Sequence, residues 1–256
     1  MTTIALSATA AAPAPPAATA ASPRTRMLLE GRILPTLLRL AWPNVLVMLA
    51  QASVGLIETW WVSRLGTDAL AGMALVFPAY MMMQMLSGGA MGGGIASAVA
   101  RALGAGRRAD ADALVLHAIA INGLLGLAFS ALVLGFGREL YGALGGEGGS
   151  LEAALLYSDV VFAGNALVWL MNALASVVRG SGNMLVPSLA ICLGVVLLVP
   201  LSPLLIFGIG PVPALGVAGA GLAVVSTTAL TALFLGWYLL SGRGLVRPRL
   251  APLRAA

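Results

Sequence analysis

The chain has 256 residues, of which 60% are hydrophobic and only 9% charged, against about 25% charged in soluble domains. Too little polar surface is left to cover a water-soluble globule, so lipid is the solvent for most of the chain. Its 14 arginines outnumber 9 acidic residues for a net charge of +5, but they lie between apolar runs rather than on one surface, which excludes nucleic acid as a partner.

In lipid every backbone polar group must be paired internally, so only helices or closed barrels can span. Barrel strands need about 10 residues of alternating polarity. The apolar runs here have helix length and no strict alternation. The fold class is all-α: a polytopic membrane protein with six transmembrane helices in one bundle.

Residues 1–35 read as a disordered, Ala/Pro-rich cytoplasmic tail. They lack the basic start and long apolar core of a secretory signal. The six-helix lobe covers 36–241. Its first apolar segment runs from Leu37 to Val62. The second, Ala69 to Ala100, is rich in Gly and Met and interrupted by Pro78. The third covers Ala113 to Phe136, and the fourth Leu151 to Val178. The fifth runs from Leu185 to Phe207 with Pro200 and Pro203 inside it, and the sixth from Ala214 to Leu240. Each meets the requirement of about 20 apolar residues. Residues 242–256 read as an Arg-rich cytoplasmic tail that lacks the beginning of a seventh helix. The connections between segments are short, which favours antiparallel neighbours.

Arginine placement predicts orientation. With the N-terminus inside, Arg64 and Arg138 lie outside and the other 12 of the 14 arginines inside. The positive-inside rule selects this arrangement. It also requires an even number of helices, with both termini cytoplasmic, in a multi-pass protein of the cell (inner) membrane.

Polar residues within the spans are costly and point to use. Glu58 and Asp159 are the acidic ones. Asn44, Gln51 and Glu58 are spaced seven apart and so share nearly one helix face, with Gly55 beside them. A carboxylate facing a cavity can exchange H⁺ or Na⁺ and attract a cationic solute. The competing reading takes Trp60 and Trp61 as an interfacial belt, one turn from Glu58. In the fourth segment Ser158, Asn165 and Asn172 are again seven apart, with Ser176 following and Asp159 offset by 100°. Either a lined cavity or interhelical hydrogen bonding accounts for them. Glu58 and Asp159 are the candidates for cation coupling. Asn44, Gln51, Gln84, Asn165 and Asn172 are the candidates for lining a substrate cavity.

The methionines around Gln84 (Met81, Met82, Met83, Met85 and Met91) suit packing and lipid contact more than a cavity. Gly88, Gly89, Gly92, Gly93 and Gly94 allow close helix approach or bending. His117 is the sole histidine and Cys192 the sole cysteine. Neither has companions for a metal site or a disulfide. No catalytic constellation is present, so the chain does not read as an enzyme, and no cofactor is expected beyond a coupling H⁺ or Na⁺.

Several stretches together suggest a family. Leu40-Ala41-Trp42-Pro43, then Gly55-Leu56-Ile57-Glu58-Thr59, then Ser63 to Gly72 resemble the first helix and following turn of multidrug and toxic compound extrusion (MATE) transporters. Ala100 to Gly106 resembles the segment after the second helix. Arg179-Gly180-Ser181-Gly182-Asn183 followed by Pro187 resembles the turn into the fifth. Gly216 to Ala223 resembles the start of the sixth. The matches run in family order from Leu37 to Leu240.

The resemblance implies secondary active export of organic cations or drugs, driven by H⁺ or Na⁺. Glu58 falls where the family usually has an acidic residue, normally Asp, that contributes to cation coupling. The family's fifth helix often carries asparagines where this chain has Val195, Leu198 and Ser202, so part of that polar site is absent. Family members usually have twelve helices in two lobes, and this chain resembles the N-terminal lobe only. The expectation is a half-size chain that needs a second lobe, supplied by a homodimer or a partner chain. A truncated or non-transporting membrane scaffold, or a lipid or polysaccharide flippase of related fold, is the alternative.

Overall fold

The computed structural model describes residues 33–208 and 213–247. The bulk of both expected tails, residues 1–32 and 248–256, lies outside the described residues. The chain divides into two units, Met1–Ala41 and Trp42–Ala256. Of the first, only the helical residues 33–41 are described; the second holds the helical bundle.

Eight α-helices make up the described structure. They are α1 (Ile33–Ser63), α2 (Thr67–Gln84), α3 (Gly92–Gly104), α4 (Arg108–Ala143), α5 (Gly148–Ala163), α6 (Asn165–Gly180), α7 (Leu185–Phe207) and α8 (Val217–Leu240). A π-helical segment, Met85–Met91, joins α2 to α3 without a turn. Five helices are long and apolar enough to cross a membrane, and six spans result when the bent pair α5–α6 counts as one. The all-α, multi-pass expectation stands.

Three details differ from the sequence reading. The second span is irregular at Met85–Met91 rather than at Pro78, which sits inside a continuous α2. A π turn inserts one extra residue per turn, and the glycines here leave room for it. The fourth span is two helices bent by 47° at Gly164. A Cβ at Gly164 would collide with the Val225 side chain of α8, so the break lets α8 approach. The third span is longer than its apolar run, because α4 carries polar turns beyond both ends.

Small residues set the packing, as expected where lipid competes equally for apolar side chains. α2 lies on α5 through Gly72, where an added Cβ would stand 2.6 Å from the Ala154 nitrogen. α4 lies on α6 through Gly126, directly against Trp169. α3 meets α6 at Gly92, which faces the Ser176 hydroxyl. α7 and α8 close on each other through Gly194 against Thr231 and through Gly219 against the Leu205 carbonyl. Within Trp42–Ser63, by contrast, most large apolar side chains face outward, among them Met48, Leu49 and Leu56. Among the described residues of α1, those in its last turn enter a core cluster, through Val62 and Trp61 with Ala69, Ile206 and Ala220.

Candidate functional site

Glu58 lies five residues before the end of α1. It is only 8% exposed, on a helix whose neighbouring side chains are mostly open. The Ser202 hydroxyl of α7 lies beside the carboxylate. The two groups fall short of hydrogen-bond geometry, so Oε2 of Glu58 and Oγ of Ser202 are both buried without a partner. Tyr80 of α2 and Tyr157 of α5 stand close enough to feel the Glu58 charge. Four helices thus converge on one carboxylate. Beyond it Trp61 stacks edge-on against Phe207 at 5.9 Å, and Arg64 lies over Trp60 at 4.5 Å.

A second polar group includes Tyr80. Gln84 Nε2 donates to the Tyr80 hydroxyl at 3.2 Å. Asn172 Nδ2 of α6 donates to Gln84 Oε1 at 3.3 Å and to Ser87 Oγ at 2.9 Å. Ser87 belongs to the π segment, and an added Cβ at Gly88 would sit 3.5 Å from the Asn172 amide. The irregular turn is therefore fastened to α6 by side-chain amides.

The other sequence candidates separate. Asn44 and Gln51 are exposed while Glu58 is buried, although all three share a helix face, because the bundle covers only the end of that face. Asn165 is fully buried; its Nδ2 donates to the Gly126 carbonyl at 2.9 Å and to Ser130 Oγ at 3.3 Å. Asp159 is exposed, whereas its neighbour Ser158 is buried and 2.6 Å from the Tyr141 hydroxyl. Two residues turn a helix by about 200°, so Asp159 points away from the side on which Tyr157 approaches Glu58. Among the described residues no group of three or more His, Cys, Asp or Glu side chains is placed to hold a metal.

Sequence reasoning did not find Tyr80, Tyr157 or Ser87, and met Ser202 only as a replacement for an expected asparagine. Tyr80 follows from the glutamine by the i, i+4 rule, since Gln84 is four residues on. Nothing local signals Tyr157.

A six-span bundle with a buried, unpartnered carboxylate and an amide-rich interior has the make-up of a membrane solute transporter. Comparison with known proteins agrees. The MatE family model matches residues 43–204. The FAD transporter of Shewanella oneidensis is 31% identical over 213 residues, which cover 83% of this chain and 47% of that protein. A probable multidrug resistance protein NorM of Deinococcus radiodurans is 33% identical over 231 residues, covering 85% and 48%. A crystal structure of a MATE protein in the bent conformation superposes with a TM-score of 0.79 at 30% identity, covering 86% of this chain and 48% of that one. The chain belongs to the MATE family of membrane transporters, which are not enzymes. It spans about half the length of the curated relatives it matches.

Proposed function

We propose that this chain forms one lobe of an H⁺- or Na⁺-coupled antiporter that exports organic cations or drugs, completed by a second copy or by a partner chain. The buried Glu58 carboxylate carries the reading. It lacks a cationic partner among the described residues, and its own span, Ala41–Ser63, contains no arginine. A buried carboxylate without a partner is costly as an anion and is relieved by a proton, by Na⁺ or by a bound organic cation. Competition of ion and solute for one such group is the elementary basis of antiport, each biasing the populations of the two access states.

The remaining candidates take different parts. Asn44 and Gln51, on the open face of α1, are placed to meet solute or the second lobe. Gln84 and Asn172 hold the π segment in register with Tyr80 and Glu58. Asn165 ties α6 to α4. Asp159, on the far side of α5, is the weaker candidate for coupling. Both termini lie in the cytoplasm of a cell whose inner membrane holds the bundle, in keeping with the arginine distribution.

A second reading takes a nucleotide such as FAD as the exported solute, favoured by the name of the Shewanella oneidensis relative. A dinucleotide is anionic and calls for cations in the cavity, which the apolar interiors of these spans lack. Reconstitution into liposomes decides. An imposed H⁺ or Na⁺ gradient should drive efflux of a cationic dye, and Glu58→Gln should lower it by about tenfold or more. Dye efflux unchanged by Glu58→Gln would overturn the coupling role. FAD efflux without dye efflux would select the second reading. A chain that is monomeric by mass and inactive alone would leave only the partner-chain form of the proposal.

A further inference from the structure

Where α3 and α4 run side by side, a shallow apolar groove of about 210 Å³ separates them. Gly94, Ile95 and Ala98 form one wall, and Leu114, Ala118 and Ile121 the other. The α3 wall is mostly Gly and Ala, so the groove exists because side-chain volume is missing. It extends from Ala90 to Ala98, about 12 Å of helix. Ile121 and Leu124 beside it are 47% and 70% exposed, so it opens on an outward face. The helices that gather around Glu58 are others.

Charge collects at one end. Continuing the α3 wall by three residues leads to Arg101. Its Nη1 donates to Ser97 Oγ at 3.3 Å, one turn back along α3. On the α4 side Arg107 pairs with Asp110 at 3.1 Å, both side chains more than half exposed. α4 begins at Arg108 with no side chain capping it; the Arg108 N–H is taken by the Gly106 carbonyl at 3.1 Å, so the N–H groups of Ala109 and Asp110 are the ones that face the same end. At the rim, His117 Nδ1 lies 2.9 Å from the Ala113 carbonyl oxygen. That nitrogen therefore donates, and Nε2 is left as an acceptor.

An apolar groove with an arginine and free helix N–H groups beyond one end matches an amphiphile with an anionic head. We propose that this groove binds one acyl chain of an anionic phospholipid, with the phosphate held by Arg101 and the start of α4. Arginine clusters between helices at a membrane surface bind such headgroups, each basic residue contributing a factor of about five. A zwitterionic lipid brings its own cation and gains less. The His117 Nε2 acceptor suits a headgroup hydroxyl, which makes phosphatidylglycerol the natural probe.

The site is independent of transport and is tested on the full chain by native mass spectrometry. Purified protein is delipidated in detergent and titrated with phosphatidylglycerol or phosphatidylcholine. The wild type should retain one phosphatidylglycerol in preference to phosphatidylcholine. Arg101→Gln should weaken phosphatidylglycerol binding by about fivefold and leave phosphatidylcholine unchanged. Gly94→Leu should abolish the retained lipid, since no atom lies within 4 Å of a Cβ there and the new side chain fills the slot. Gly135→Leu, at an equally open position on α4, should change nothing. Ala98→Leu replaces Gly94→Leu if that variant fails to fold. Equal retention of the two lipids by the wild type would overturn the proposal. So would phosphatidylglycerol binding that survives filling of the groove.

Discussion

Glu58 and Asn165 show how differently one bundle uses two buried polar side chains. Glu58 has no partner that satisfies it, and Ser202 stands beside it without reaching hydrogen-bond geometry. Ser202→Ala should therefore reduce coupled transport far less than Glu58→Gln, measured as initial rates of dye efflux from proteoliposomes. Equal loss in the two variants would instead make the hydroxyl a direct ligand of the ion. Asn165 binds across to α4 through two hydrogen bonds from its Nδ2, while its Oδ1 is buried without a partner. Interhelical polar contacts of this kind contribute about 0.6 to 1.7 kcal/mol in membranes. Asn165→Ala should lower Tm in detergent accordingly and leave ion dependence unaltered. A changed ion dependence with unchanged Tm would assign it to the cavity. Residue type alone told which side chains were costly in lipid. It did not tell which were satisfied, because satisfaction depends on a partner as distant in sequence as Gly126 is from Asn165.

At the scale of elements, glycine positions decide how helices meet. Gly72 faces Ala153 and Ala154 so closely that a Cβ would stand 2.6 Å from backbone nitrogen. Gly72→Val should separate α2 from α5 and cost about 1 to 3 kcal/mol or more, seen as a fall in Tm or loss of monodisperse protein. Gly135→Ala, in open space, should be neutral in the same assay. The π segment makes a second prediction. Deleting the exposed Gly89 should remove the one extra residue that the π turn accommodates and convert Met85–Met91 to α-helix with both flanks still in register. Ser87 and Gly92 would then be four residues apart and still share the face towards α6, so Tm should change little. A large fall in Tm would show that the bundle needs the π turn itself. The sequence displayed the Gly-Met run plainly. Pro78 looked like the interruption, but a proline inside a span is tolerated when local backbone adjustment and neighbouring helices satisfy the freed carbonyl.

For the molecule as a whole, the arginine distribution makes a sidedness prediction. In a Cys192→Ser background, Arg64→Cys and Leu144→Cys should react with an impermeant maleimide from outside intact cells. Ala105→Cys should react only after permeabilisation. The opposite pattern would reverse the assigned orientation. The outward apolar face of residues 42–63 belongs to this scale too. Its large side chains meet lipid or, on the proposed reading, a second lobe; the chain spans about half the length of the relatives it matches.

Length of apolar runs, scarcity of charge and order of family motifs determined that this is an all-α, multi-pass MATE lobe. Each is a local or summed property that lipid reads directly. The seven-residue spacing of Asn44, Gln51 and Glu58 was also legible, but its consequence was not: the bundle buries one of the three, a carboxylate, and leaves two open. The bend at Gly164, the π turn and the pairing of Gln84 with Asn172 were likewise decided only in three dimensions. Each exists because a particular helix from elsewhere in the chain packs against that point, and no periodicity within a single span encodes which helix arrives.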